Sequence, residues 1–77
     1  MAPSKITGLA PTVARQFAGL SPAEAATAIG VARSTLWRWE AGAVQPTAWQ
    51  LHALARTYGL SPERLASVVE WFAGQRT

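Results

Sequence analysis

Three near-copies of one tetrapeptide, Gly-Leu-Ala-Pro or Gly-Leu-Ser-Pro, divide this chain at residues 8–11, 19–22 and 59–62. Glycine suits the left-handed residue that ends a helix, and proline suits the first helical position, where its missing N–H costs nothing. A serine between them can cap the next helix by accepting from its unpaired N–H groups. The copies are irregularly spaced, so they indicate boundaries between short helices rather than a repeat architecture.

These boundaries predict five helices, with approximate spans 11–18, 22–29, 33–41, 48–58 and 62–73. A glycine stands just past four of the predicted ends, at positions 30, 42, 59 and 74. Thr47, which follows a proline, is placed to cap the fourth helix. No run of alternating apolar and polar β-branched residues predicts a strand. We therefore expect one all-α domain over residues 10–77, preceded by a flexible arm at residues 1–9.

The apolar residues of the second to fifth predicted helices share one face of each helix, as a packed core requires, and in the last two helices they recur at helical spacing. The predicted core consists of Ala25, Ala26, Ile29, Leu36, Trp39, Leu51, Leu54, Ala55, Tyr58, Leu65, Val68, Val69 and Phe72. Apolar residues make up 49% of the chain, which is enough for such a core and too much for a disordered protein.

Composition excludes several classes of protein. No apolar run reaches the ~18 residues that span a bilayer, and residues 1–10 lack the apolar core of a signal peptide, so we expect a cytoplasmic protein. The absence of cysteine removes disulfides, thiolate metal sites and cysteine nucleophiles. The four glutamates are scattered, aspartate is absent, and His52 is the single histidine, so neither a catalytic carboxylate pair nor a metal site is predicted. We expect no enzyme, no cofactor and no small-molecule ligand.

The charge balance favours a polyanionic partner. Seven Lys and Arg residues face four Glu, the formal net charge is +3, and the pI is about 10.7. DNA is such a partner, but many solvated domains carry a charge of this size. The positions of the arginines therefore decide more than their number.

Residues 20–42 read LSPAEAATAIGVARSTLWRWEAG and have the form of two short helices joined by a tight turn. Gly30 can adopt the positive φ that such a turn needs, and Ala26 is small where the second helix must approach closely. A helix-turn-helix directs the outer face of its second helix away from the core. Four polar or aromatic side chains lie on that outer face: Arg33, Ser34, Trp37 and Arg38.

Roughly residues 12–66 resemble the Cro and lambda-repressor type of helix-turn-helix protein, also called the Xre family. In order, the marks are Leu20-Ser21, Glu24, Ala26, Gly30-Val31, Ser34-Thr35-Leu36, Glu40, Gly42, Pro46, Leu54-Ala55 and Tyr58-Gly59-Leu60. Their order and spacing together make the match specific. The resemblance implies a compact five-helix lambda-repressor-like domain and a transcription regulator that binds double-stranded DNA.

The resemblance places the 33–41 helix in the major groove. Arg33 and Arg38 can then each offer a bidentate fork to guanine O6 and N7, and Ser34 can bond a base or a phosphate. Trp37 can contact a thymine methyl, a deoxyribose edge or a partner chain. The alternatives are that the arginines are ordinary surface residues and that Trp37 folds back on the scaffold.

The sequence departs from the family where the family contacts phosphate. Pro22 replaces the usual Gln at the start of the second helix and has no N–H to give, while Ala41 and Ala43 replace the usual Asn and Lys. The remaining candidates for phosphate contacts are Lys5, Ser21, Gln45, Thr47, Trp49 and Arg56. Few contacts predict a shallow dependence of binding on salt.

Glu40 needs a structural role, because a carboxylate directed at DNA would repel phosphate. In the family this glutamate pairs with an arginine of the first helix, and Arg15 stands at the matching distance before Leu20. The resemblance therefore implies a structural ion pair between Arg15 and Glu40.

A single recognition helix reads only about four base pairs, so we expect a repressor that binds a pseudo-palindromic operator as a homodimer. Trp71 lies about 120° from the centre of the apolar stripe of the fifth helix, so that stripe cannot bury it. Tryptophan is enriched at interfaces. We therefore expect a two-fold contact that includes Trp71, with Val68.

Two other functions fit parts of the sequence. The string STLWRWEAG followed by Gln45-Pro46 resembles a MerR-like excisionase, a DNA-bending factor that needs a β-hairpin wing after the recognition helix. Residues 43–60 have a helical pattern instead. The other alternative is an antitoxin or adaptor that binds a protein partner through the fifth helix.

Overall fold

The computed structural model describes residues 8–75 and contains five helices in this part of the chain. They are α1 Pro11–Phe17, α2 Pro22–Ile29, α3 Arg33–Glu40, α4 Ala48–Tyr58 and α5 Pro62–Gly74. Residues 8–75 contain no strand, so the predicted all-α class is confirmed. Every helix begins at the predicted residue and ends within one residue of the predicted end. None of them is long and apolar enough to cross a membrane.

Side-chain caps explain where three of the helices begin. Ser21 Oγ accepts from Glu24 N at 3.1 Å, and Glu24 Oε1 accepts from Ser21 N at 2.8 Å, which makes a capping box. Thr47 and Gln50 form the same arrangement at the start of α4, and Ser61 Oγ caps α5. In the last two tetrapeptides, therefore, the serine and the proline together start the next helix.

The helix ends follow the glycines, with one exception. Gly30 and Gly59 have left-handed φ values of 93° and 68°, which allow the chain to leave α2 and α4 sharply. Gly74, predicted just beyond the fifth helix, is instead the last residue of α5, and this expectation is wrong. Gln75 closes α5 in a right-handed conformation, so no left-handed residue is needed there.

Large side chains from α3, α4 and α5 fill the core. Leu36, Trp39, Leu54 and Val68 are each at most 1% exposed, and Phe72 is buried beside them. Ala25 and Ala26 are also buried, and their small size lets α2 pack closely against its neighbours. The core therefore anchors the inner face of α3 at two positions three residues apart.

Val69 does not belong to this core, although the sequence pattern predicts it there. Its side chain is 43% exposed, while its neighbour Val68 is fully buried. The two residues are about 100° apart around α5, so burying one turns the other toward solvent.

The chain just before α1 lies against α5. Leu9 N donates to Ser67 O at 3.0 Å, and the Leu9 side chain packs on the core. A side chain added at Gly8 would overlap the Ser67 carbonyl and the backbone N of Trp71. Gly8 and Leu9 are the last two residues of the predicted arm; residues 1–7, including Lys5, lie outside the described residues.

Candidate nucleic-acid interface

The turn between α2 and α3 brings the two helices together over a very short connection. Gly30 N and Val31 N both donate to Ala26 O, at 2.8 and 3.0 Å, and only Val31 and Ala32 separate Gly30 from α3. The left-handed Gly30 makes this double closure possible, because a side chain would be strained there. The result is a tight helix-turn-helix.

α3 has an anchored inner face and an exposed outer face. Leu36 and Trp39 are buried, whereas all four residues predicted to face outward are exposed, namely Arg33, Ser34, Trp37 and Arg38. The Trp37 indole is 69% exposed, so it does not fold back on the scaffold. The structure thus brings the four predicted base-contacting residues onto one solvent-facing surface, which we call the α3 outer face.

A groove of about 340 Å³ runs along one side of this face, between the start of α2 and α3. Its lining residues, which define what we call the α2–α3 groove, are Pro22, Arg33, Ser34, Leu36, Trp37 and Glu40. Most of the lining is hydrocarbon or aromatic. The one anionic group of this lining is the Glu40 carboxylate.

That group, Glu40, is paired with Arg15. Arg15 Nε donates to Glu40 Oε2 at 2.8 Å and Nη2 donates to Oε1 at 3.3 Å, while Nη1 donates to Leu20 O at 3.0 Å. Both side chains are largely buried, and the hydrogen bond to Glu40 raises the pKa of Arg15 above its ordinary value although burial opposes this. The guanidinium neutralises the Glu40 carboxylate. Through Arg15, α1 is also hydrogen-bonded both to Leu20, just before α2, and to Glu40 at the end of α3.

Tyr58 lies close enough to this pair for the charges of Glu40 and Arg15 to shift its pKa. Burial raises the pKa of Tyr58 to about 12, with a further increase from Glu40 and an opposing effect of Arg15. The buried hydroxyl has no hydrogen-bond partner among residues 8–75. The sequence pattern identified Tyr58 as a core residue but gave no sign of this polar atom beside an ion pair.

The candidates for phosphate contacts occupy different environments. The Thr47 hydroxyl accepts from Gln50 N, which leaves its O–H free to donate outward, whereas the Ser21 hydroxyl accepts from Glu24 N and also bonds the Glu24 carboxylate. Gln45 is already engaged, since its side-chain amide donates to Phe72 O at 2.9 Å and holds the α3–α4 loop against α5. No sequence signal indicated this contact, because it joins residues 27 positions apart.

Trp49 and Arg56 lie on the outer surface of α4. Trp49 is 81% exposed, the highest value among the large exposed hydrophobic side chains of residues 8–75. Together with Ile29, His52 and Ala53 they line a second groove of about 330 Å³ at the end of α2. This groove presents an indole and a guanidinium to solvent, side by side with an imidazole.

The predicted two-fold contact on α5 needs a correction. Val68 is fully buried in the core and offers no surface to a partner. Trp71 is half-buried, with its ring edge-on to Phe72 at 5.2 Å between centroids and its backbone next to Gly8. Trp71 is therefore partly covered by the core and by the segment before α1, contrary to the expectation that the stripe leaves it unburied.

The described residues contain no group of three or more His, Cys, Asp or Glu side chains that could hold a metal ion. Instead, two arginines, a serine and a tryptophan are exposed together on α3, the second helix of the helix-turn-helix.

Comparison with known proteins agrees with this geometry. A family model described as a helix-turn-helix domain matches residues 13–68, which is most of the chain. No curated protein and no solved structure matches the chain. The protein belongs to the helix-turn-helix domain family of DNA-binding proteins.

Proposed function

We propose that this protein is a sequence-specific transcription regulator of the Cro and lambda-repressor (Xre) type, acting as a repressor by inserting α3 into the major groove. The observation that carries the proposal is the α3 outer face. Four side chains suited to base edges are exposed together on a helix whose opposite face is fixed by Leu36 and Trp39. A helix held in this way needs no ordering of its backbone on binding, which lowers the cost of association.

The two arginines of this face are available for hydrogen bonding. Among the described residues, the only ion pair is Arg15–Glu40, so neither Arg33 nor Arg38 is occupied by a carboxylate. Each guanidinium can form the bidentate contact to guanine O6 and N7 that is the commonest specific contact in protein–DNA complexes. Ser34 lies beside Arg33 and can donate to a neighbouring base or phosphate.

Contacts to the DNA backbone come from residues around this helix. We assign them to Ser21 and Thr47 at the two capping boxes, to Trp49 and Arg56 on α4, and to Lys5 and the remaining donor of Gln45. Only Lys5 and Arg56 are cationic, so few phosphates are neutralised. Binding should then weaken only gradually as salt is raised.

Two copies are needed for specificity, because one recognition helix covers too few base pairs to define a site in a genome. We propose that the protein binds a pseudo-palindromic operator as a homodimer, with the exposed part of Trp71 in the two-fold contact. The contact is small, and formation of the dimer is completed on adjacent half-sites.

The excisionase alternative gains no support from the chain after α3. Such a protein needs a β-hairpin wing there, but residues 41–47 form a loop that leads directly into α4. An antitoxin or adaptor that binds only a protein partner is distinguished from the proposal by the experiment below.

The proposal is tested by selecting bound sequences from a pool of random double-stranded DNA. We expect an enriched motif with two inverted half-sites, their centres one helical turn or a multiple of it apart. The variant Arg33→Ala should lose one conserved guanine per half-site, whereas Arg64→Ala, which removes an exposed arginine of α5, should enrich the parental motif. A pool that shows no enrichment would exclude sequence-specific DNA binding and favour the protein-partner alternative.

A further inference from the structure

The α2–α3 groove contains an apolar feature that the guanine contacts do not use. The exposed Trp37 indole, Pro22 at the start of α2 and the buried Leu36 side chain all contribute to its lining. An indole left 69% exposed on a short helix keeps a large apolar area in contact with water. Covering this area with another apolar group would be favourable.

The polar groups of the groove limit what can cover it. Arg33 and Ser34 are hydrogen-bond donors at its edge, and both oxygens of the Glu40 carboxylate are occupied by Arg15. The groove therefore offers donors and an apolar surface without a free negative charge. Such a lining suits a ligand that combines a small apolar group with neighbouring acceptors on a polyanion.

In the major groove of DNA, the C5-methyl group of thymine is the only apolar group on a base edge, and guanine offers two adjacent acceptors. Arg33 and Trp37 are one helical turn apart, with Cβ atoms separated by about 5–6 Å. Neighbouring bases on one strand are about 3.4 Å apart. The two side chains can therefore contact adjacent base pairs.

We propose that the α2–α3 groove binds the C5-methyl group of a pyrimidine that lies next to the guanine held by Arg33. The protein then recognises a guanine that has a 5-methylpyrimidine, either thymine or 5-methylcytosine, as its neighbour. The methyl group lies against the Trp37 indole and Pro22, and Arg33 bonds the guanine. This proposal rests on the proposed function, since it names the chemical group that the same face recognises.

The test removes only the methyl group. In the site selected by the parent protein, each thymine is replaced in turn by deoxyuridine, and affinity is measured by fluorescence anisotropy of labelled DNA. At one thymine per half-site, next to a guanine, the replacement should weaken binding about fourfold, the factor that corresponds to about 0.8 kcal/mol for one buried carbon group. At the same position, 5-methylcytosine should bind about fourfold better than cytosine.

The variant Trp37→Ala should bind the thymine and deoxyuridine sites equally. Phe17→Ala serves as the control, because it removes a comparably exposed aromatic side chain from α1, outside the proposed DNA contacts, and should keep the thymine preference. Circular dichroism of both variants verifies that they fold, as expected for substitutions at exposed positions.

The outcomes separate this proposal from the function it rests on. If the parent binds its selected site but deoxyuridine is tolerated at every position, the methyl-binding groove is wrong and the DNA-binding function stands. If Trp37→Ala retains the preference for thymine, another side chain contacts the methyl and the proposal is also wrong. If the parent has no preferred DNA sequence, the proposed function itself fails.

Discussion

Arg15 Nε lies 2.8 Å from Glu40 Oε2, and this contact joins the first helix to Glu40, the last residue of α3. The side chains are 11% and 14% exposed, so solvent screens the pair only weakly. A third bond from Arg15 to Leu20 O extends the contact to the entry of α2. One guanidinium therefore connects α1, the residue that precedes the cap of α2 and the end of α3.

Removal of the Glu40 charge should destabilise the domain severely. Glu40→Gln leaves the largely buried Arg15 without a counter-charge, which typically costs about 3–5 kcal/mol. The Tm should fall by more than about 10 °C. Thermal unfolding followed by circular dichroism measures this, with Glu70→Gln on the exposed side of α5 as the control.

The double variant Arg15→Met with Glu40→Leu should be more stable than Glu40→Gln, since an apolar pair leaves no isolated charge. A Glu40→Gln protein that melts like the parent would show that the pair contributes nothing to stability.

Tyr58→Phe should stabilise the protein. The Tyr58 hydroxyl is buried and has no partner in the described part of the chain, and a buried unsatisfied group costs about 1–3 kcal/mol. We expect a gain of about 1 kcal/mol in the free energy of unfolding, measured with urea at pH 7. A loss of stability would mean that the hydroxyl makes a favourable contact.

The raised pKa of the same tyrosine predicts how the free energy of unfolding changes at high pH. Its pKa is raised from 10 to about 12 by burial, so the folded state keeps the proton longer than the unfolded state. The resulting stability is complete below pH 10 and is lost as the pH rises from 10 to 12. Tyr58→Phe should lack this part of the alkaline transition, and equal alkaline profiles of the two proteins would contradict the assignment.

The capping box of α2 predicts that the free energy of unfolding depends on pH in the acidic range. The Ser21 backbone N–H, and then its hydroxyl, hold the pKa of the Glu24 carboxyl below its ordinary value of 4.5. Because the folded-state pKa is depressed, this stability is present above pH 4.5 and is lost as the pH falls through the folded-state value.

Glu24→Gln should remove that part of the acid dependence. The neutral capping box formed by Thr47 and Gln50 on α4 is the internal comparison, because no carboxyl titrates there. Urea unfolding of parent and variant between pH 3 and pH 7 tests the point, and parallel stability curves would refute it.

The helix bounds were predictable because capping chemistry is local. A Ser21 cap, a proline in the first turn and a left-handed Gly30 act within a few residues and leave a readable pattern. The α3 outer face followed for the same reason, since Leu36 and Trp39 fix which side of the helix faces inward. The contact between Arg15 and Glu40 was implied by family resemblance and not by spacing.

The features that the sequence did not predict depend on contacts between segments that are distant in the chain. A helical projection gives the angle of Trp71 around α5, but it does not reveal that Gly8 and Leu9 lie against that flank. It likewise does not decide which of two adjacent valines enters the core. The hydrogen bond from Gln45 to Phe72 O has no sequence signature at all, because any loop glutamine has the same donors.

Trp71 tests the proposed dimer. Trp71→Ala should abolish cooperative binding of two copies to adjacent half-sites, whereas Val69→Ala, on the opposite flank of α5, should not. Sedimentation velocity of the protein–DNA complexes gives the stoichiometry, at a temperature where urea unfolding shows that both variants are folded. Unchanged 2:1 stoichiometry and cooperativity for Trp71→Ala would assign Trp71 to the fold alone.

The central claim is that the α3 outer face reads base sequence, and a comparison of two arginine variants tests it most directly. Arg38→Ala and Arg64→Ala change the net charge equally, but only Arg38 lies on α3. We predict that Arg38→Ala loses about 1–3 kcal/mol per half-site on the selected operator, far more than on scrambled DNA of the same length, and relaxes the choice of one base pair. Arg64→Ala should bind both DNAs almost like the parent. An equal loss on both DNAs for Arg38→Ala would make Arg38 a phosphate contact and contradict the claim.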